Sequence, residues 1–209
     1  MTDRISQQRL DELWDFSDAA TSERQLREAV ADAPSGSVVG AELRTQVARA
    51  LGLQERFADG EAELDSIDSV DGVVLTRVLL ERGRLRNSSG HPDEAIPLFE
   101  EALAAASAEG HDFLTVDAAH MLAIADSDRS EHWTARALET VGEATDARTR
   151  RWAVSLHNNL GRRLFDEGNA PAALAEFELA ADSARDFGTP QQQVWAQEAI
   201  DEVRSTLDR

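Results

Sequence analysis

The stretch Gly83-Arg84-Leu85-Arg86-Asn87-Ser88-Ser89-Gly90-His91-Pro92, running on to Ala95, Phe99 and Ala102, decides the fold because its frame occurs twice. Gly161 is followed by Gly168, Ala173, Phe177 and Ala180 at the same offsets of +7, +12, +16 and +19, in a segment 78 residues downstream. Self-similarity at a fixed period is the signature of a repeat architecture, here a helical hairpin. A small anchor and a small +12 residue let two helices approach closely, the +16 residue fills the gap, and +19 makes a second close contact. The turn between them carries breakers. Gly90 and Gly168 suit a left-handed helix C-cap, and Pro92 and Pro171 suit the first turn of the next helix. Pro97 lies within the first two turns of its helix, where it is expected to cost one backbone hydrogen bond or to shift the helix start.

The frame continues in both directions with the same physical types. Ala118 leads to Ala125, Ser130, Thr134 and Ala137; Ala48 leads to Gly60, Leu64 and Ile67; Leu10 leads to Ser22, Leu26 and Ala29. The anchors at 10, 48, 83, 118 and 161 are thus 38, 35, 35 and 43 residues apart. Turn-forming segments at 33–37, 69–72, 109–112, 143–146 and 187–190 separate the units. The expectation is one repeat domain of about five hairpins, over 3–34, 38–70, 73–109, 112–144 and 149–187, with a capping helix over 190–208. In that last helix Ala196, Ile200, Val203 and Leu207 form the apolar stripe, and the remaining face is expected to solvate the end of the array. No alternating run of strand length interrupts the pattern, and β-branched residues are sparse, so the fold class is all-α.

The frame resembles the tetratricopeptide repeats, whose pattern places an aromatic, Leu-Gly, Ala, an aromatic, Ala and a closing proline in about 34 residues. Asn159-Leu160-Gly161 with Ala173, Phe177 and Ala180 matches well, Gly83 to Ala102 nearly as well, and Pro34 falls where the first closing proline belongs. Departures are plain: Leu164 and Arg86 stand where the aromatic after Leu-Gly is expected, and the fourth unit has Thr134 in place of Phe. The resemblance implies an α-α superhelix in which the first helix of each hairpin lines a concave groove. It also implies a scaffold or adaptor that binds peptides or partner proteins.

Composition excludes more than it assigns. The chain has 42% hydrophobic and 29% charged residues, the profile of a folded globular protein and not a disordered one. With no cysteine, thiolate metal sites, disulfides and cysteine nucleophiles are ruled out. A formal charge of −19 opposes a nucleic-acid partner, because phosphate binding needs a basic footprint. No apolar run reaches the roughly 18 residues that span a bilayer, and the N-terminus, Met1 to Gln8, lacks the apolar stretch of a secretory signal. A cytoplasmic protein without membrane contact is expected. All 21 basic residues are arginine, which we read as a GC-rich or salt-adapted genomic bias.

Binding residues follow from helix phase. The places at −6, −3, −2 and +1 from each anchor share one face of the first helix, and by the resemblance that face points into the groove. In the second unit it carries Glu42, Thr45, Gln46 and Arg49; in the third, Arg77, Leu80 and Arg84, continued by Asn87; in the last, Ser155, Asn158, Asn159 and Arg162. Arg49, Arg77, Arg84, Asn87, Asn158, Asn159 and Arg162 are therefore the expected binding set. Guanidinium forks pair with carboxylates and amides satisfy a peptide backbone, so the partner expected is a protein or peptide with acidic or C-terminal carboxylate groups. The alternative for these arginines is pairing with local Asp and Glu. Trp133, Trp152 and Trp195 are read as inter-helix packing, with Trp14 least constrained. The acidic run Asp59, Glu61, Glu63, Asp65, Asp68 and Asp71 lacks the glycine of a calcium loop and is read as a solvated face. The five histidines include no i, i+4 pair, and no nucleophile elbow, phosphate loop or dinucleotide fingerprint is present. The chain is thus expected to be a non-enzymatic scaffold without cofactor or metal. The alternatives are a ligand-responsive sensor acting through another protein, or a homo-oligomeric assembly module.

Overall fold

The computed structural model describes residues 4–15, 17–68 and 72–207. The turn expected at 69–72, the end of the second expected hairpin and Asp71 fall wholly or partly outside those residues. The regular structure among the described residues is helical, in the order α1 Gln7–Leu13, α2 Ala19–Asp32, α3 Val38–Leu53, α4 Phe57–Asp65, α5 Gly72–Ser88, α6 Pro92–Ala108, α7 Asp112–Ala125, α8 Ser130–Glu143, α9 Ala147–Arg150, α10 Trp152–Asp166, α11 Ala170–Phe187 and α12 Pro190–Leu207. A single 3₁₀ turn, Ser127–Arg129, precedes α8. The all-α class read from the period is the class observed. The chain divides into two compact units, residues 1–114 and 115–209.

In the first unit α5 packs on α6, and α3 packs on α2, α4 and α5. The tightest approach is at Gly83, where a Cβ would lie 2.4 Å from Cε1 of Phe99. Phe99, Ala95 and Ala102 are fully buried around that point. The hairpin closes through the frame's +7 glycine: Gly90 has φ +88° and donates to the Asn87 carbonyl, while His91 donates to Arg86 O at 2.9 Å. These are the two bonds of a Schellman cap, with glycine where a side chain would be strained. In the preceding hairpin the +7 residue is Glu55, and it adopts the same left-handed conformation at φ +60° without being glycine. Pro97 lies within α6, whose start at Pro92 is unshifted. It therefore removes one backbone donor and leaves the helix start in place.

The +12 residue of the first frame shows why a small polar residue serves there. Ser22 is fully buried, and its hydroxyl accepts from the Asp15 N–H at 2.8 Å and donates to the Asp15 carbonyl at 2.9 Å, fastening the turn into α2. Leu10, Leu13, Leu26, Leu43, Val47 and Leu51 form the adjoining core.

In the second unit α10 packs on α11 and α11 on α12. A Cβ on Gly161 would meet the Phe177 ring at 2.9 Å, and Ala173, Phe177, Ala180 and Ala184 are fully buried. Gly168 repeats the cap, with φ +82° and the Asn169 N–H donating to Leu164 O at 2.8 Å. Ala199, Ile200 and Val203 of α12 join the Phe177 core, whereas Leu207, expected on the same stripe, is 45% exposed at the end of the helix. Among the described residues no helix is long and apolar enough to cross a membrane.

Alanine favours a helix over glycine by about 1 kcal/mol, and overpacking a tight core costs about 1–3 kcal/mol. Gly83→Ala, forced against Phe99, is therefore expected to lower the thermal midpoint. Gly142→Ala, where a Cβ has nothing within 4 Å, is expected to raise it. Calorimetry of the two variants beside the parent protein checks both signs.

Candidate functional site

Residues on the expected binding face meet different fates in the two units. On α3 the face is covered from within the unit. Glu42 is 1% exposed; its Oε2 accepts from the Ile5 N–H at 3.1 Å and its Oε1 from Arg77 Nε at 3.1 Å. Thr45 and Gln46 are also buried, and Gln46 accepts from the Trp14 indole N–H at 3.2 Å. Arg49 is half-buried, its guanidinium 5.7 Å from the Trp14 ring centroid. Trp14, read as the least constrained tryptophan, is held between α3 side chains.

On α5, Arg77 is only 12% exposed in its ion pair with Glu42, and Arg84 is 14% exposed, with Nη1 donating to Glu81 at 2.5 Å. Leu80 and Glu81 are buried and Asn87 is half-buried. Arg84 thus pairs with an acid on its own helix and Arg77 with Glu42 of α3, both under little water. A ligand carboxylate reaching either guanidinium has to displace a buried partner, which is strongly unfavourable.

On α10 the face is open. Asn159 is exposed, Asn158 and Ser155 are half-buried, and Arg162 donates to Glu202 of α12 at 2.9 Å with both side chains near half exposure. The Arg162 guanidinium also lies 5.5 Å from the Phe177 ring centroid. Asn159 and Arg162 stand in the wall of a cleft of about 510 Å³ bounded by α7, α8 and α10. Leu156, Leu160 and Ile124 are its apolar lining, and His120, Arg163, Ser130, Thr134, Asp166 and Glu167 its polar lining.

This cleft occurs at the hairpin whose +16 residue is not bulky. Phe99 and Phe177 fill their hairpins at +16, whereas Thr134 at +16 and Ser130 at +12 of the fourth frame are small and line the opening. Ile124, half exposed, is left facing it. Arg163 was not among the expected residues, because it stands two places past the anchor, off the chosen face. Its partners are Glu131 at 2.8 Å and Glu167 at 3.8 Å, which are 77% and 56% exposed. Such pairs contribute little and exchange readily with an incoming carboxylate.

Near the cleft, the turn from α7 to α8 is pinned by one carboxylate. Asp126 accepts from the Trp133 indole N–H at 2.9 Å and from Arg129 Nε at 2.6 Å, and Arg129 lies over the Trp133 ring. The Trp133 hydrogen bond, aided by Arg129 and opposed by burial, holds the Asp126 carboxyl below its ordinary value of 3.8. Trp133 is a buried packing residue as expected, and Trp152 is half-buried with its ring 5.2 Å from that of His120. Trp195 is not one, being 58% exposed.

The acidic run is solvated as read at Asp59, Asp65 and Asp68, but not at Glu61 and Glu63. Glu63 is 10% exposed and takes Arg44 at 2.6 Å and Arg27 at 3.0 Å, while Glu61 and Asp65 both pair with Arg82. Burial raises the pKa of the neighbouring Glu23, but Gln54, Arg27 and Arg56 outweigh it and hold the carboxyl below its usual range. These acids clamp α4 to α2, α3 and α5 through arginine. Among the described residues no group of three or more acids and histidines is disposed to hold a metal ion.

No family model matches the sequence, and no curated protein does. Among solved structures the chain is similar to BtubC (BKLC) from P. vanneervenii, with 18% sequence identity and a TM-score of 0.55 over 95% of this chain and 92% of that one. At that identity the likeness speaks for the helical-repeat fold alone.

Two outcomes follow from these ion pairs. Arg77→Ala leaves the buried Glu42 without its closest cation, and the expected loss is about 3 kcal/mol in urea unfolding, at the lower end of the range for breaking a buried pair. Because the Asp126 carboxyl is held low in the folded state, its stabilisation is present above the ordinary value of 3.8 and is lost as pH falls through the lower folded value. Asp126→Asn should therefore reduce the drop in thermal midpoint between pH 5 and pH 2, measured by circular dichroism.

Proposed function

We propose that this protein is a non-catalytic, tetratricopeptide-like scaffold that binds a protein segment through the cleft bounded by α7, α8 and α10. The observation that carries the reading is the cleft itself. It brings the apolar residues Leu156, Leu160 and Ile124 together with Asn159, Arg162 and Arg163. An amide and two arginines beside apolar surface suit an extended chain end. The amide bonds a peptide group, a guanidinium takes a carboxylate in a bidentate fork, and a small apolar side chain covers Ile124. The partner is accordingly a peptide or protein with an acidic or free C-terminal carboxylate, met in a cytoplasmic setting. The deficit of positive charge across the chain disfavours nucleic acid in the same role.

Of the seven residues expected to bind, Asn159 and Arg162 carry this proposal, with Arg163 added. Arg77 and Arg84 serve the interior of the first unit in this reading. Binding is expected to be weak to moderate, since the exposed pairs of Arg162 and Arg163 must be exchanged for the ligand's.

The test is a fluorescence-anisotropy screen of acidic octapeptides, each synthesised with a free and with an amidated C-terminus. The free-acid form should bind more tightly by tenfold or more, a difference of about 1.4 kcal/mol. Arg163→Glu and Asn159→Ala should each weaken it. Thr134→Leu, which fills the cleft without changing charge, should abolish it. Equal affinity of free-acid and amidated peptides, or full binding by Thr134→Leu, would remove the cleft from the reading.

A further inference from the structure

The outer face of α12 does not solvate the end of the array in the way its sequence position implies. Ala196, Ala199, Ile200 and Val203 face the Phe177 core. The opposite side carries Gln191, Val194, Trp195, Glu198 and Glu202, a row at i, i+3, i+4, i+7 and i+11. Val194 is 50% and Trp195 58% exposed, so the largest side chain of the helix stands in water beside a second apolar residue. A purely solvating face has no use for either. Bordering them are Glu198, Asp201 and Glu202, all exposed. Of these, Asp201 accepts from Gln197 on its own helix and Glu202 from Arg162. The one cation of the helix among its described residues, Arg204, lies along it and donates to Glu178 of α11 at 2.8 Å.

From this arrangement we propose that the outer face of α12 is a docking surface for a basic amphipathic segment of a partner protein. Charge decides the occupant. In a twofold pairing of α12 with a second copy, Glu198, Asp201 and Glu202 would meet carboxylates of the same kind, which is repulsive. An anionic membrane surface is opposed for the same reason. A helix bearing Lys or Arg flanked by Leu places its apolar residues on Val194 and the Trp195 edge. Its cations then reach the Glu198 and Asp201 carboxylates and the face of the indole. Arg162 limits how much of Glu202 the partner can use, so Glu198 and Asp201 are the principal acceptors. This surface is distinct in chemistry from the cleft, which takes a carboxylate.

The probe is a fluorescein-labelled 18-residue helical peptide of Lys and Leu at i, i+4 spacing, with a second peptide carrying Glu in place of every Lys. Anisotropy in 150 mM salt should show binding of the Lys peptide and none of the Glu peptide. Trp195→Ala and the pair Glu198→Lys with Asp201→Lys should each weaken the Lys peptide tenfold or more. An equal change of charge at exposed residues of α6, Asp93→Lys with Glu101→Lys, should alter it less than threefold, as should Arg163→Glu in the cleft. All the substituted residues of α12 are exposed, and circular dichroism verifies that the variants keep their helix. Failure of the parent protein to bind the Lys peptide would overturn the proposal. So would equal losses from the α6 and α12 charge changes, which mark attraction to net charge alone. Sedimentation showing a dimer that Trp195→Ala dissociates would assign the face to a second copy instead.

Discussion

Two helices can approach only as closely as the side chains between them permit, and at Gly83 and Gly161 the obstacle is a hydrogen atom. The Phe99 and Phe177 rings lie where a Cβ would be, 2.4 Å and 2.9 Å from the positions such an atom would take. Dispersion contacts of a ring against backbone are gained only if no methyl intervenes. The close approach orients everything else on the first helix of each pair. Once the anchor faces the second helix, the residue one step on and those two and three steps back must turn elsewhere. Arg84, Arg162, Asn158 and Asn159 owe their positions to that turn.

A second constraint is electrostatic. Forty acids face 21 arginines and no lysine, and several of those arginines serve two carboxylates where helices pack. The guanidinium fork does this where an ammonium would not. Arg27 joins Glu23 to Glu63, Arg56 joins Glu23 to Asp59, and Arg82 joins Glu61 to Asp65. Exposed pairs of this kind individually stabilise little. Their effect is on register: α4 is short, and shared arginines fix which of its faces meets α2, α3 and α5. The same economy leaves excess carboxylate on outer faces such as that of α12.

The hairpin frame was legible in the sequence because its message is local. Small, small, bulky, small at fixed offsets describes one contact between neighbours about 16 residues apart, and Phe99 on Gly83 is that contact. The +7 glycines were legible for the same reason, since a left-handed cap involves six consecutive residues. The site was legible only in part. Helix phase placed Asn159 and Arg162 on a common face, and both line the cleft. Phase could not show that Ile5 and Trp14 cover the equivalent face of α3, 37 and 32 residues away along the chain. Nor could it show that Arg77 reaches back to Glu42 at a separation of 35. Arg163 was missed because it stands two places past the Gly161 anchor, off the face that phase selected.

Sequence alone determined the all-α class, the close-packed glycine and phenylalanine pairs, and the charge of −19. These are properties of composition and of short-range periodicity. Tertiary structure decided which arginines are closed off and which are open, because burial depends on segments far apart in the chain. It also converted a weak match, Thr134 in place of Phe, into a cleft, since the space left by a small residue exists only once α7, α8 and α10 stand around it. For α12 the sequence stripe named the side that packs. That the other side sets Trp195 in water among carboxylates follows from the helix having a core on one face alone.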